Sequence, residues 1–113
     1  MLIPPGLRIF IAKDPADFRR SYDGLAGMVY NDLAADPTDG TLYVFFNKRR
    51  DQVKILYYHR GGLCIWMKRL ERGKFASLSI GDDCCIELTD TELLMLIDGI
   101  EFTNAVRKIR YAK

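Results

Sequence analysis

Read for its apolar and polar positions, the chain first offers "LRIFIA" at residues 7–12, which alternates and branches like a short strand. Asp14-Pro15 then has the form of a helix start, with Asp14 as N-cap, Pro15 in the first turn and Asp17 near the positive end of the helix dipole. Phe18, Tyr22, Leu25, Ala26, Val29 and Leu33 recur at helical spacing and predict one apolar stripe. Gly24 and Gly27 weaken that helix, and close approach of a neighbouring element is the compensating reason for them. "DPTDG", residues 36–40, stops it and turns the chain.

Three strand patterns follow in quick succession: 41–46 "TLYVFF", 52–59 "QVKILYYH" and 63–70 "LCIWMKRL", all rich in aromatic and β-branched residues. Their connectors are hairpin-sized, and Gly61-Gly62 suits positive φ, so the pattern predicts an antiparallel meander. "ERGK" is expected to turn into a further short strand near Phe75–Ile80, and "CCIEL", residues 84–88, supplies another. Thr89 and Glu92 have capping-box spacing and open a second helix with Leu93, Leu94, Leu96, Ile97 and Ile100 on its buried side and Gly99 at its end. The expected fold is α+β: a small antiparallel sheet of four to six strands with a meander core, and two helices packed on it. At 113 residues the chain is expected to form a single domain over 1–113, with a frayed basic tail at 104–113.

Composition narrows the class. Hydrophobic residues make up 49%, which favours a packed core over disorder. No apolar run is long enough to span a bilayer, and Met1-Leu2-Ile3-Pro4-Pro5 lacks the charged and apolar regions of a signal peptide, so the expected location is the cytoplasm. Three cysteines without a C-x-x-C, and the single His59, argue against a disulfide framework or a structural zinc site. No nucleophile elbow, P-loop or dinucleotide fingerprint occurs, and no cofactor is implied. Asp82, Asp83 and Glu87 are local to one turn and strand, whereas two-metal chemistry needs carboxylates from separate elements.

Charge changes the picture most. The net charge is +2, yet residues 48–74 carry nine cations and two anions, residues 75–106 carry seven anions and no cation, and residues 107–113 carry four cations. A concentrated basic segment points to a polyanion better than total charge does. In a meander, the 47–51 connector and the 71–74 turn lie at the same end of the sheet, so their cations are expected to converge. The candidate nucleic-acid-binding residues are Lys48, Arg49, Arg50, Lys54, Lys68, Arg69, Arg72 and Lys74. Lys54 and Lys68 sit inside strands, with Tyr58 and Trp66 at alternate positions, a pattern that suits stacked bases. The competing readings are that the aromatics are core, that the loop cations are merely solvated, and that basic and acidic blocks pair with each other. Arg19, Arg20, Asp14 and Asp17 read as ordinary surface pairs.

The segments "DPADFRRSYDGLAGMV", "DPTDGTLYVFFNKRRDQVKILYYHRGGLCIWMKRLERGKF" and "LTDTELLMLIDGI" resemble the TnpB-type accessory proteins of the bacterial insertion-sequence family numbered sixty-six. An unrelated RNA-guided nuclease shares that name, and this chain is far too short to be one. The resemblance covers roughly residues 7–101 and is carried by Asp17, Arg19, Tyr22, Asp23 and Gly24, by Lys48, Arg49, Arg50, Lys54 and Ile55, and by the run Lys68 to Gly73. Tyr57-Tyr58 stands where members often have paired tryptophans, and Ala76-Ser77 where they often have Trp-Pro. The resemblance implies a non-catalytic accessory role in DNA transposition beside a larger DDE-type transposase, with DNA, the transposase and other accessory proteins of the element as partners. The charge pattern adds a mode of action, contact with DNA phosphates. The alternative is a module that docks the transposase or another accessory protein without touching DNA.

Overall fold

The computed structural model describes residues 6–78 and 81–98. Five strands and two helices occur among them: β1 Ile9–Ala12, α1 Tyr22–Asp32, β2 Leu42–Phe46, β3 Gln52–His59, β4 Gly62–Arg69, β5 Cys85–Leu88 and α2 Asp90–Ile97. They form one sheet in the order β4-β3-β2-β1-β5. The α+β class, the strand count and the two helices agree with the sequence pattern.

The expected antiparallel meander is present. β2 and β3 pair antiparallel with Val44 opposite Ile55, and β3 and β4 pair antiparallel from Gln52–Arg69 to His59–Gly62. The β3–β4 turn uses Arg60 and Gly61, both at positive φ, as a two-residue hairpin of the mirror-image type requires. The sheet as a whole is mixed, because β1 runs parallel to β2. That pairing follows from α1, which carries the chain from the end of one strand back to the start of the next. β5 then closes the other side of β1 antiparallel, with Ile11 opposite Ile86.

Period-two alternation divides the strands between two cores. Ile9, Ile11, Leu42, Val44, Val53 and Ile55 face Leu93, Leu96 and Ile97 of α2. Tyr43, Phe45 and Leu56 face Leu25, Met28 and Val29 of α1. The sheet is therefore sandwiched between the helices, which explains why β2 is buried at every position. Tyr57 and Trp66 pack against the α2-side core, as the core reading of the aromatics expected, while Tyr58 is partly exposed.

Two local expectations change. The helix does not begin at Asp14-Pro15 but at Tyr22. Residues 14–20 form a turn instead, because tertiary partners claim their polar groups. The Ala16 amide donates to the Phe46 carbonyl at 2.9 Å, and the Asp17 carboxylate accepts from the Arg19 amide at 3.0 Å. The Phe18 and Arg20 carbonyls, which a helix would need, accept from Lys54 Nζ at 3.1 and 2.9 Å. A Cβ on Gly24 would lie 2.7 Å from Arg20 Cβ, in the segment that leads into the helix itself, so the crowding is local; no neighbouring element approaches Gly24 or Gly27.

The second change falls after β4. Residues 75–78 are irregular rather than a strand, and Phe75 is buried in the α2-side core; residues 79 and 80 of that expected strand lie outside the described residues. At α2 the capping box forms as expected: the Glu92 amide donates to Thr89 Oγ1 at 3.1 Å and the Thr89 amide to Glu92 Oε1 at 3.0 Å. Gly99 and the 104–113 tail lie outside the described residues.

Candidate nucleic-acid interface

The hairpin turn 47–51 and the segment after β4 meet at one end of the sheet. The Leu70 amide donates to the Asp51 carbonyl at 2.8 Å, and the Phe75 amide to the Arg50 carbonyl at 2.7 Å. Two backbone bonds thus lace the loops together. Within the hairpin, Asn47 Oδ1 accepts from the Gln52 amide at 3.0 Å, and Asn47 Nδ2 donates to Asp51 Oδ1 at 2.6 Å. That bond, with smaller contributions from Arg49 and Arg69, holds the Asp51 carboxyl below its ordinary range, so it stays ionised inside the cluster.

The eight candidate cations separate into two kinds. Lys48, Arg49, Arg69, Arg72 and Lys74 are exposed. Two ion pairs join described residues, Arg8–Glu87 and Arg19–Asp17, and neither involves a cation of residues 48–74. Asp82 and Asp83 precede β5, at the far edge of the sheet from β4, and neither makes an ion pair among the described residues.

Lys54, Lys68 and Arg50 are committed inside the molecule. Lys54 is 7% exposed; its ammonium holds the Phe18 and Arg20 carbonyls and lies 5.0 Å from the Phe18 ring centroid. Lys68 donates to the Ile97 carbonyl at 2.7 Å, placing a cation on the last turn of α2. Lys54 faces the α1 side of the sheet and Lys68 the α2 side, since Lys68 is opposite Val53 and Lys54 opposite Met67 in the register. They stand on opposite faces of the sheet. Arg50, at φ 59°, stacks its guanidinium 4.4 Å from the Phe46 ring centroid and donates to the Phe75 and Ala76 carbonyls. Burial lowers its pKa from the ordinary arginine value.

Beside the hairpin, an open groove of about 670 Å³ runs between the 15–19 turn and residues 47–52. Arg19 stands on its far wall, held to Asp17 by Nε at 3.0 Å and Nη2 at 2.6 Å. The Arg19 side-chain bonds and the Arg19 amide hold the Asp17 carboxyl down at about 2. By spacing alone, Arg19 reads as part of an ordinary surface pair. The signal that it faces Lys48 and Arg49 across a groove lies in the β1–α1 crossover, which spacing does not expose.

Elsewhere the three cysteines are free thiols, with Cys84 Sγ 3.7 Å from Cys85 Sγ. Burial first, then the Cys84 hydrogen bond, pushes the Cys85 thiol up to about 11. His59 stands at the opposite end of the sheet from both. Among the described residues no group of three His, Cys, Asp or Glu is placed to hold a metal ion, and no helix is long and apolar enough to cross a membrane.

Fold and rim describe a small α+β protein with one cationic sheet end built from laced loops. Residues 7–107 match the family described as IS66 Orf2 like protein, and the chain belongs to that family. Membership points to an accessory role in transposition. The chain is 37% identical over 103 residues to the uncharacterized protein y4jC of Sinorhizobium fredii, covering 91% of this chain and 87% of that one. It is 31% identical over 105 residues to the uncharacterized protein y4hO of the same organism, covering 91% and 90%. No solved structure matches.

Proposed function

We propose that the protein is a non-catalytic accessory factor of insertion-sequence transposition that holds DNA by its phosphates. Family membership supports the process, and the laced basic loops support the mode of contact. The observation that carries the reading is that Lys48, Arg49, Arg69, Arg72 and Lys74 are exposed on segments joined at one end of the sheet and make no ion pair among the described residues. Exposed cations that are not held in ion pairs release condensed counterions when they meet a polyphosphate backbone. The contacts are largely indifferent to sequence, because phosphate contacts position and base contacts specify. Arg50, Lys54 and Lys68 act in this reading as supports of the loops and strands, not as ligands.

The experiment is a pull-down of the element's transposase with and without nuclease, run beside direct DNA binding. Loss of the transposase on nuclease treatment, with DNA bound directly, supports a DNA-mediated role. Capture that survives nuclease, with no direct DNA binding at low salt, means that the rim docks an acidic protein surface instead.

A further inference from the structure

The groove between the crossover turn and the hairpin is a built feature. One wall, residues 15–19, is fastened to the sheet by the Ala16 amide on Phe46 and by the buried Lys54 ammonium on the Phe18 and Arg20 carbonyls. The other wall is the hairpin, closed on itself by Asn47. Cations stand on both walls, Arg19 opposite Lys48 and Arg49, and the one carboxylate in the lining, Asp17, is spent on Arg19. The pair leaves N–H donors to spare, since an arginine has five and Asp17 takes only those of Nε and Nη2. The Arg19 side chain is 91% exposed, so those donors are available. Pro15 and Phe18 add apolar surface to the same lining.

We infer that this groove seats a segment of single-stranded nucleic acid, its phosphates bridging Arg19 on one wall and Lys48 and Arg49 on the other, with Lys54 as a positioning residue beneath. The inference rests on the nucleic-acid reading above and names the form of the ligand. A concavity of about 670 Å³ falls in the size range of small-molecule sites, about 300–1,000 Å³. It admits part of one strand; a duplex is too wide to enter. Basic groups on both walls with apolar surface between them are the features that track a single backbone and leave bases free to lie against carbon. Arg69, Arg72 and Lys74 lie outside the groove lining, on the outer rim, where either a strand or a duplex can rest.

The test measures binding of a thymidine homopolymer and of a matched-length blunt duplex across a salt series. Wild type is compared with Arg19→Ala, Arg19→Lys and Arg72→Ala/Lys74→Ala, each checked by circular dichroism and thermal melting. Arg19→Ala is expected to weaken single-strand binding roughly three- to tenfold, the net effect of removing one solvent-exposed hydrogen bond of ordinary strength. The slope of log affinity on log salt should fall by about 0.7. Arg19→Lys should retain most of the affinity, and duplex binding should be unchanged in both. If Arg19→Ala leaves single-strand binding intact while Arg72→Ala/Lys74→Ala weakens DNA binding, the groove inference is overturned and the phosphate-contact reading stands. Binding of the duplex alone has the same meaning. If wild type binds neither probe at low salt, both fall.

Discussion

Lys54 and Arg72 belong to the same basic block, eighteen positions apart, and the fold uses them in opposite ways. Lys54 is buried with its ammonium on two carbonyls, and the turn that replaces the expected start of the helix depends on it. Arg72 is exposed on a turn, without an ion-pair partner among the described residues. Arg50 and Lys68 side with Lys54, and Lys48, Arg49, Arg69 and Lys74 with Arg72. A run of cations therefore divides into those that build the rim and those that are left on it. The strand register decides this for Lys54 and Lys68, and the packing of the 47–51 turn on Phe46 and residues 75–76 decides it for Arg50.

The sharpest way to break this comparison is to remove a building cation. Lys54→Met keeps the aliphatic stem and strips the donor from two carbonyls, so urea unfolding should show a drop in stability of about 2–4 kcal/mol. A drop below about 0.5 kcal/mol, the range of ordinary surface changes, would mean that the ammonium is not what holds the crossover turn. Arg50→Ala gives up two hydrogen bonds to carbonyls and the stacking on Phe46. Partly exposed, it should cost less, about 1–3 kcal/mol. Lys68→Ala removes one carbonyl bond at the end of α2 and should cost about 1–2 kcal/mol by the same measurement.

Alkaline pH probes the sheet through a buried tyrosine. The Tyr43 hydroxyl donates to Asp39 Oδ2 at 2.9 Å. Burial first, and then the Asp39 bond, raise its pKa from an ordinary 10.0 to about 12. The neutral form is favoured in the folded state, so this stabilisation is fully present below pH 10 and is lost as pH rises towards 12. Tyr43→Phe should remove that part of the alkaline decline seen by thermal melting across pH. An unchanged decline would assign it to other groups, Cys85 among them. The smallest stability effect belongs to the free cations: Arg69→Ala/Arg72→Ala/Lys74→Ala should stay within about 0.5 kcal/mol of wild type by urea unfolding.

Much of this fold is legible along the chain. The meander strands, the Thr89–Glu92 cap and the convergence of the two loops follow from local patterns and hairpin geometry. The start of α1 is not, because Asp14-Pro15 is a sound local helix signal overridden by a lysine 40 positions away in the chain. The parallel β1–β2 pair is equally hidden, since alternation reports faces and not strand direction. The site is half legible. Charge density locates the rim, but the opposite faces of Lys54 and Lys68 need the register, and the groove wall at Arg19 needs the crossover.

The central claim is that the free cations of the laced loops grip phosphate. The most direct measurement is duplex DNA affinity across a salt series for wild type and for Arg69→Ala/Arg72→Ala/Lys74→Ala, compared once urea unfolding has shown the variant to be as stable as wild type. The account predicts steep salt dependence in wild type and weaker binding in the variant, with a slope shallower by about 0.9 for each phosphate that is no longer neutralised. Equal affinity and equal slope in the two proteins, or no wild-type binding at low salt, would contradict it.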